Sequence, residues 1–205
     1  MLETLLKHNV AWAAERVAQD PGYFKRLADI QRPHYFWIGC ADSRVPANVI
    51  AGLEPGEVFV HRNVANLVNP GDLNCLSVLQ FAVENLQVRE IIVTGHYGCG
   101  GIQAAVDGER HGLIDHWLQP IRDTAHHCHA ELDKLADHHA RLDRLCELNV
   151  IAQVKRVAQT PIVQDAWGRG QDLLVHGLVY GLKDGRLRNL GCTLDGPRAA
   201  DAIKF

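Results

Sequence analysis

Short apolar segments alternate along this chain with segments of helical periodicity, and this alternation constrains the fold more than any other feature of the sequence. The segments are rich in aromatic or β-branched residues, as strands buried on both faces are. They lie at residues 35–38, 58–60, 91–93 and 173–180. Between them, apolar residues recur every three or four positions, as in residues 76–86. A Lys-Asp-Gly turn at residues 183–185 then leads into residues 186–190. The pattern predicts an α/β fold: a mostly parallel central sheet of four strands plus an antiparallel edge strand, flanked by helices.

The start of the chain differs from this alternation. Leucine, alanine and valine side chains recur at helical spacing in residues 2–17, and an Asp-Pro-Gly cluster ends that helix. A second short helix is predicted over residues 24–30. We therefore expect one domain, in which residues 1–32 form an N-terminal helical arm and residues 33–205 form the α/β core.

The composition and charge limit the classes of molecule that this protein is expected to bind. A formal net charge of −3 without a dense basic run argues against nucleic acid and against an anionic membrane surface. No apolar run approaches the ~20 residues of a membrane span, and early acidic residues such as Glu3 do not fit a secretory signal. We therefore expect a cytoplasmic protein with a small-molecule partner. Six unevenly placed cysteines and twelve histidines favour reduced thiols and metal ligands over disulfides.

Three potential metal ligands follow two of the predicted strands. Cys40 comes after the first strand, and His96 and Cys99 lie in the glycine-rich loop after the third. Ligands bind where the carboxyl ends of parallel strands meet and the strand order reverses. Two thiolates and one imidazole suit zinc and leave one tetrahedral position for water or substrate, which is typical of a catalytic site. This spacing alone leaves a second interpretation open, in which the cysteines are buried apolar residues and the histidine is a hydrogen-bonded loop residue.

Two charged residues next to Cys40 favour the catalytic interpretation. Asp42 and Arg44 lie two and four positions after Cys40, and a carboxylate and a guanidinium can form a bidentate pair. Asp42 can take the fourth zinc position itself, or, held by Arg44, accept a hydrogen bond from the water at that position. The pair can therefore act as a switch.

Three segments resemble the signatures of β-class carbonic anhydrases. They occur in the family's order and spacing, as GCADSRVP at residues 39–46, HRNVAN at residues 61–66 and GHYGCGG at residues 95–101. The resemblance covers about residues 3 to 190. It implies a doubly wound α/β fold, reversible hydration of carbon dioxide to bicarbonate and a proton, and one Zn²⁺ per chain. It also implies a homodimer, or a tetramer built as a dimer of dimers, in which the N-terminal helices embrace the partner.

Carried over residue by residue, the resemblance implies that Cys40, His96 and Cys99 bind the zinc ion. It makes Asp42 and Arg44 the catalytic dyad that gates the fourth position, with Asp42 as a zinc ligand in the closed state. Two thiolates should make the zinc less acidic than three imidazoles would, so we expect activity to favour mildly alkaline pH.

A narrower resemblance is to the bacterial subgroup, called type II, in which an aspartate caps the zinc and bicarbonate binds at a regulatory site. Trp37, Arg62 and Tyr180 resemble the three residues of that site, and each can donate a hydrogen bond to an oxyanion. The resemblance implies that bicarbonate there favours the closed state and so inhibits the enzyme. Core packing is the alternative role of the two aromatic residues.

Other residues carry weaker expectations. Gly100 and Gly101 can present backbone N–H groups to an anion at a helix start, or can simply form a tight turn. A solvated helix face is a better interpretation than a second metal site for the histidines of residues 126–139, at positions 126, 127, 129, 138 and 139. Buried reduced thiols are expected at the remaining cysteines, Cys75, Cys128, Cys146 and Cys192.

Two alternative functions remain open at this point. A carbon disulfide or carbonyl sulfide hydrolase of the same fold would use the same zinc and dyad. A non-catalytic zinc protein or bicarbonate sensor would have Asp42 permanently in the fourth position, and the presence of Arg44 argues against this.

Overall fold

The computed structural model describes residues 1–29 and 31–197. Contacts within the chain divide it into two units, Met1–Arg32 and Pro33–Phe205. The boundary coincides with the predicted end of the helical arm. The expectation that both units belong to one domain stays a prediction.

The first unit consists of the two predicted helices, α1 (Leu2–Gln19) and α2 (Tyr23–Asp29). The turn between them is held by Asp20, whose carboxylate accepts hydrogen bonds from the Gly22 N–H, at 3.0 Å, and from the Arg26 guanidinium. The apolar side chains of α1 that suggested a helix are mostly exposed, at 70% for Leu2 in this chain alone. Ile30, which was expected in the second helix, lies outside the described residues.

The second unit contains the predicted sheet. Within the described residues it has five strands: β1 (Tyr35–Cys40), β2 (Val58–Asn63), β3 (Glu90–His96), β4 (Leu174–Gly181) and β5 (Arg186–Asn189). Their order is β2-β1-β3-β4-β5, with the first four parallel and β5 antiparallel to β4. This confirms the predicted fold class. Because β2 lies on one side of β1 and β3 lies on the other, the direction of winding reverses between β1 and β3.

Strands β1 and β3 are longer than predicted, and this places the site residues. Gly39 was expected to end the first strand, but backbone pairing continues through it to Arg62 of β2 and Thr94 of β3. Cys40 and His96 are therefore the last residues of their strands rather than loop residues. Their positions are fixed by sheet hydrogen bonds.

Helices flank the sheet. Within the described residues they are α3 (Ala47–Ala51), α4 (Leu73–Gln80), α5 (Gly100–Val106), α6 (Leu113–Trp117), α7 (Gln119–His127), α8 (His129–Leu132), α9 (His138–Ala158) and α10 (Pro161–Gly168). The helical periodicity of residues 76–86 corresponds to α4, which is capped by Asp72 and extended by a π-helical turn at Phe81–Asn85. No helix in this part of the chain is long and apolar enough to span a bilayer.

Helix α9 passes unusually close to the sheet. It packs against β3 and β4, and two glycines make the approach possible. A Cβ atom on Gly95 would lie 2.6 Å from Cγ2 of Val150, and one on Gly177 would lie 3.1 Å from Cγ1 of the same valine. The long helix is therefore fixed directly beneath the carboxyl end of β3, where His96 lies.

Candidate metal centre

Cys40, His96 and Cys99 meet at the point where the strand order reverses. Cys40 ends β1, His96 ends the neighbouring β3, and Cys99 caps the start of α5. Their potential ligand atoms all lie within 4.8 Å of one another, and the three residues are 5%, 1% and 5% exposed. The structure thus brings together the three residues that the sequence predicted as ligands.

The geometry of the three side chains fits zinc. The sulfur atoms of Cys40 and Cys99 are 3.9 Å apart, and two Zn–S bonds of ~2.3 Å at a tetrahedral angle would place them about 3.8 Å apart. Nδ1 of His96 lies 3.1 Å from the carbonyl oxygen of Tyr97, which can only accept a hydrogen bond. The ring proton is therefore on Nδ1, and Nε2, buried without a hydrogen-bond partner, keeps its lone pair for a metal.

The two thiols are electrostatically linked. The neighbouring Cys99 thiol lowers the pKa of Cys40 to about 4, although burial of Cys40 acts in the opposite direction. The same pairing, together with burial, raises the pKa of Cys99 far above its usual range. The two sulfurs thus share one proton, and a cation is needed before both become thiolates.

Asp42 and Arg44 form the predicted pair directly above the centre. Nε of Arg44 donates to Oδ1 of Asp42 at 2.9 Å, and Nη2 donates to Oδ2 at 2.6 Å. These bonds hold the pKa of Asp42 well below its ordinary value. Oδ2 of Asp42 is also 3.7 Å from Nε2 of His96. A carboxylate is therefore held beside the metal-binding nitrogen, with both of its oxygens bonded to the guanidinium.

Arg62 supports the loop that carries the dyad. Its Nε donates to the carbonyl of Cys40 at 2.8 Å, and its Nη2 donates to those of Asp42 and Val45, at 2.5 and 3.3 Å. The indole of Trp37 lies over Gly39, where a Cβ atom would approach its Nε1 to 2.5 Å. Gly39 pairs with Arg62, so Trp37 and Arg62 share one face of the sheet.

Tyr180 lies on the same face, two strands from Trp37, because its partner His96 is two residues beyond Thr94, which pairs with Gly39. Within the described residues, no hydrogen bond joins the side chains predicted to bind bicarbonate.

A buried loop at the end of the HRNVAN segment, to whose last two residues the sequence assigned no role, contacts the centre. Ala65 and Asn66 follow β2 with positive φ angles of 64° and 49°. The carbonyl of Ala65 accepts a hydrogen bond from Nδ2 of Asn149 at 3.0 Å, and Gln153 donates to Oδ1 of Asn149 at 2.9 Å. The N–H of Ala65 contributes to lowering the pKa of Cys40. Asn149, on α9, is therefore a supporting residue of the metal centre.

A charged network surrounds the loop between the ligands. The hydroxyl of Tyr97 donates to Oε1 of Glu147 at 2.5 Å, and Arg144 donates to Oε2 of Glu147 and to Oε1 of Glu131, each at 2.6 Å. Burial and the contact with Glu147 raise the pKa of Tyr97. The network ties the loop of His96 to α9.

The weaker expectations have mixed outcomes. A Cβ atom on Gly101 would lie 2.9 Å from Val64, so close packing explains this glycine, and the anion-facing role of Gly100 and Gly101 stays a prediction. The histidines of residues 126–139 are exposed and belong to no candidate metal cluster among the described residues, as expected of a solvated face. The other four cysteines are free thiols, of which three are buried and Cys192 is partly exposed.

A second cluster of metal-ligand types, His61, Asp72 and Cys75, does not have the properties of a metal site. The Asn63 amide is fixed by two hydrogen bonds of 2.8 Å with the backbone of Leu67, and its Nδ2 also lies 3.2 Å from Nε2 of His61. That contact uses the lone pair of Nε2. Burial raises the pKa of Cys75 to about 12, so its thiol stays neutral. The cluster is explained as a hydrogen-bonded part of the core.

Comparisons with known proteins agree on one family. The carbonic anhydrase family profile matches residues 35–187. A carbonic anhydrase of Emericella nidulans is 45% identical over 95% of this chain and 85% of its own length. A β-carbonic anhydrase of Coccomyxa, solved in complex with acetazolamide, is 42% identical and superposes with a TM-score of 0.93 over 98% of this chain and 91% of its own. One of two tetrameric β-carbonic anhydrases of Sordaria macrospora is 39% identical, with a TM-score of 0.89 over 94% and 98% of the two chains.

The sheet and its Cys-His-Cys cluster describe an α/β metalloenzyme. With these comparisons, the chain belongs to the β-class carbonic anhydrase family, and it is a carbonic anhydrase by enzyme class. The similar proteins named above come from Emericella nidulans, Coccomyxa and Sordaria macrospora, so the bacterial type II subgroup expected from Trp37, Arg62 and Tyr180 is not confirmed by them.

Proposed function

We propose that this carbonic anhydrase hydrates carbon dioxide reversibly with one zinc ion held by Cys40, His96 and Cys99. The observation that carries this proposal is the convergence of two sulfurs 3.9 Å apart with an orphaned, buried imidazole nitrogen. Zinc, when bound, supplies Lewis acidity that brings a coordinated water toward ionisation near neutral pH. We expect this chain to form homodimers or tetramers, and the two similar enzymes of Sordaria macrospora are tetrameric.

The residues around the centre have separate roles in this proposal. The hydrogen bond from Nδ1 of His96 to Tyr97 fixes the tautomer and the ring orientation. Asp42 stays ionised and accepts a hydrogen bond from the attacking water, which orients that water toward carbon dioxide. Arg44 holds Asp42 in the accepting position through its two bonds. When Arg44 releases it, Asp42 can move to the fourth position and close the site.

Replacement of Asp42 tests the catalytic role. Asp42→Asn keeps the size of the side chain but removes its charge and weakens the pair with Arg44. We expect stopped-flow CO2 hydration by the zinc-loaded chain to show a fall in kcat/KM of roughly 10²- to 10³-fold, within the range of general acid–base contributions. Zinc content should stay near one ion per chain, because the three ligands remain. Asp115→Asn is the matched control, since Asp115 forms a comparable partly buried pair with Arg122, at 2.8 Å. Full activity of Asp42→Asn would refute the role of the dyad.

We further propose that bicarbonate inhibits the enzyme at Trp37, Arg62 and Tyr180. The support is the position of Arg62, whose guanidinium holds the loop of Asp42 by its carbonyl oxygens. An anion that binds this guanidinium competes with those carbonyls and frees the loop, which allows Asp42 to close the site. By linkage, ligands that favour the open state oppose bicarbonate.

Two conservative variants test the regulatory site. Trp37→Phe and Tyr180→Phe each remove one hydrogen-bond donor and should weaken inhibition of CO2 hydration by bicarbonate, with zinc content unchanged. Tyr35→Phe is the control, because Tyr35 lies at the opposite end of β1. Inhibition equal to that of the parent chain in both test variants would refute the regulatory proposal and leave the catalytic one intact.

A further inference from the structure

A cleft beside the metal centre connects the dyad to a histidine on α9. Its volume is about 470 Å³, which is large enough for several water molecules at ~30 Å³ each. Arg44 and Gly98 line one end, and Nη2 of Arg44 lies 3.4 Å from the Gly98 carbonyl. His139 and Asp143 line it from the first two turns of α9. Water in the cleft can therefore connect the dyad to an exposed imidazole.

Hydration of carbon dioxide requires that a proton leave this region. Each turnover converts CO2 and water to bicarbonate and one proton. Asp42 is not suited to store that proton, because both of its carboxylate oxygens accept hydrogen bonds from Arg44, at 2.9 and 2.6 Å. A group that takes it up and releases it again must titrate near neutral pH, and imidazole is the side chain with that property. His139 is the imidazole among the described residues that line the cleft.

The charges around His139 suit a proton acceptor. Asp143 follows it by one helical turn on α9, and its carboxylate can stabilise the protonated ring. Burial raises the pKa of Asp143, opposed by the charge of Lys183. The hairpin between β4 and β5 contributes Lys183 and the ion pair of Asp184 with Arg188, and Arg44 faces the cleft from the dyad. Asp137 caps the same helix end.

We propose that His139, supported by Asp143, is the proton relay of this enzyme. It accepts the proton released during hydration through water in the cleft, becomes an imidazolium, and passes the proton to buffer in solution. This inference rests on the proposed function of the metal centre. It gives one member of the histidine-rich segment a role that the other members do not share.

The test compares two neighbouring histidines. His139→Ala, in the zinc-loaded chain and dilute buffer, should lower kcat for CO2 hydration by about tenfold, less than the roughly hundredfold of a full general acid–base group, because Asp143 and solvent leave a second route. The ratio kcat/KM should not change, because proton release follows the hydration step. Added imidazole should restore kcat. His138→Ala is the control and should match the parent, since His138 does not line the cleft.

A second measurement does not depend on turnover. The imidazole resonance that disappears from the proton NMR spectrum of His139→Ala should shift in Asp143→Asn, because the Asp143 carboxylate lies one helical turn from the ring. A resonance that is unchanged in Asp143→Asn would overturn the inference. So would an unchanged kcat in dilute buffer, or a parallel fall of kcat and kcat/KM. If the zinc-loaded parent hydrated no CO2, the proposed function would fail and the relay with it.

Discussion

Zinc binding to the metal-free chain should release about one proton per ion near pH 7, where an ordinary imidazole is mostly neutral and water on a zinc ion with two thiolate ligands is mostly not ionised. The reason is the link between the two sulfur ligands. The contact between the two sulfurs lowers the pKa of Cys40 and raises the pKa of Cys99, so the metal-free pair holds one proton between them. Zinc requires both thiolates, and it therefore displaces the single shared proton. Two independent thiols with an ordinary pKa of about 8.5 would together release more than one.

The same reasoning gives the pH dependence of zinc affinity. At higher pH the shared proton competes less with zinc for the two sulfurs, so the zinc affinity should rise with pH. The slope should be about tenfold per unit, or about 1.4 kcal/mol, below the pKa of Cys99. Two unlinked thiols would approach a hundredfold per unit at pH values well below their own pKa.

Titration calorimetry in two buffers of different protonation enthalpy measures the released protons directly. Cys99→Ser should lose most of the zinc affinity. Cys75→Ala is the matched control, because Cys75 is a fully buried cysteine in a second cluster of ligand-type residues, with His61. It should keep both the stoichiometry and the proton count. Release of nearly two protons by the parent chain near pH 7 would refute the shared proton, and loss of zinc in Cys75→Ala would refute the assignment of the site.

Two effects on stability follow from the packing of the core. Gly95→Ala should lower the free energy of unfolding by ~1–3 kcal/mol in urea titrations, because the new methyl group would lie 2.6 Å from Val150, and Val150→Ala in the same chain should recover part of the loss. Asp72→Ala should cost ~1 kcal/mol, while Asp72→Asn should be nearly neutral because asparagine caps helices as well as aspartate does; Oδ1 of Asp72 accepts the Asn74 N–H at 3.0 Å. Changes within about 0.5 kcal/mol for Gly95→Ala or Asp72→Ala would contradict the packing or the cap, since that is the scatter of neutral surface substitutions.

The sheet and the ligand set could be predicted from sequence because each depends on local information. Apolar runs identify the strands, and the rule that ligands gather at strand carboxyl ends then brings Cys40 and His96 together. The strand limits were less accurate, because Gly39 suggested an end where backbone pairing with Arg62 and Thr94 continues. Backbone pairing depends on the neighbouring strands, so the residues of β1 alone do not show where the strand ends.

The support of the centre depends on contacts between distant parts of the chain. The left-handed turn at Ala65 carries no glycine to reveal it, and the Asn149 side chain that holds it is 84 positions away. His139 is one of several similar histidines in sequence, and only the path of α9 past the β4–β5 hairpin distinguishes it. Arg62 was predicted to donate a hydrogen bond to an anion. Its bonds to three backbone carbonyls also connect it to the loop of the dyad, and the sequence motifs do not predict this connection.

The division between strand and loop explains how one site can be both rigid and switchable. Cys40 and His96 belong to hydrogen-bonded strands, so the metal ligands have little freedom to move. Asp42 lies in the loop after β1, held by side chains, and the Arg44 side chain is 58% exposed. The Asp42 side chain is only 17% exposed, so the pair is screened from its Arg44 side alone and its release costs less free energy than that of a fully buried pair. An anion changes which state of the proposed gate dominates when its preference for the closed state exceeds that cost.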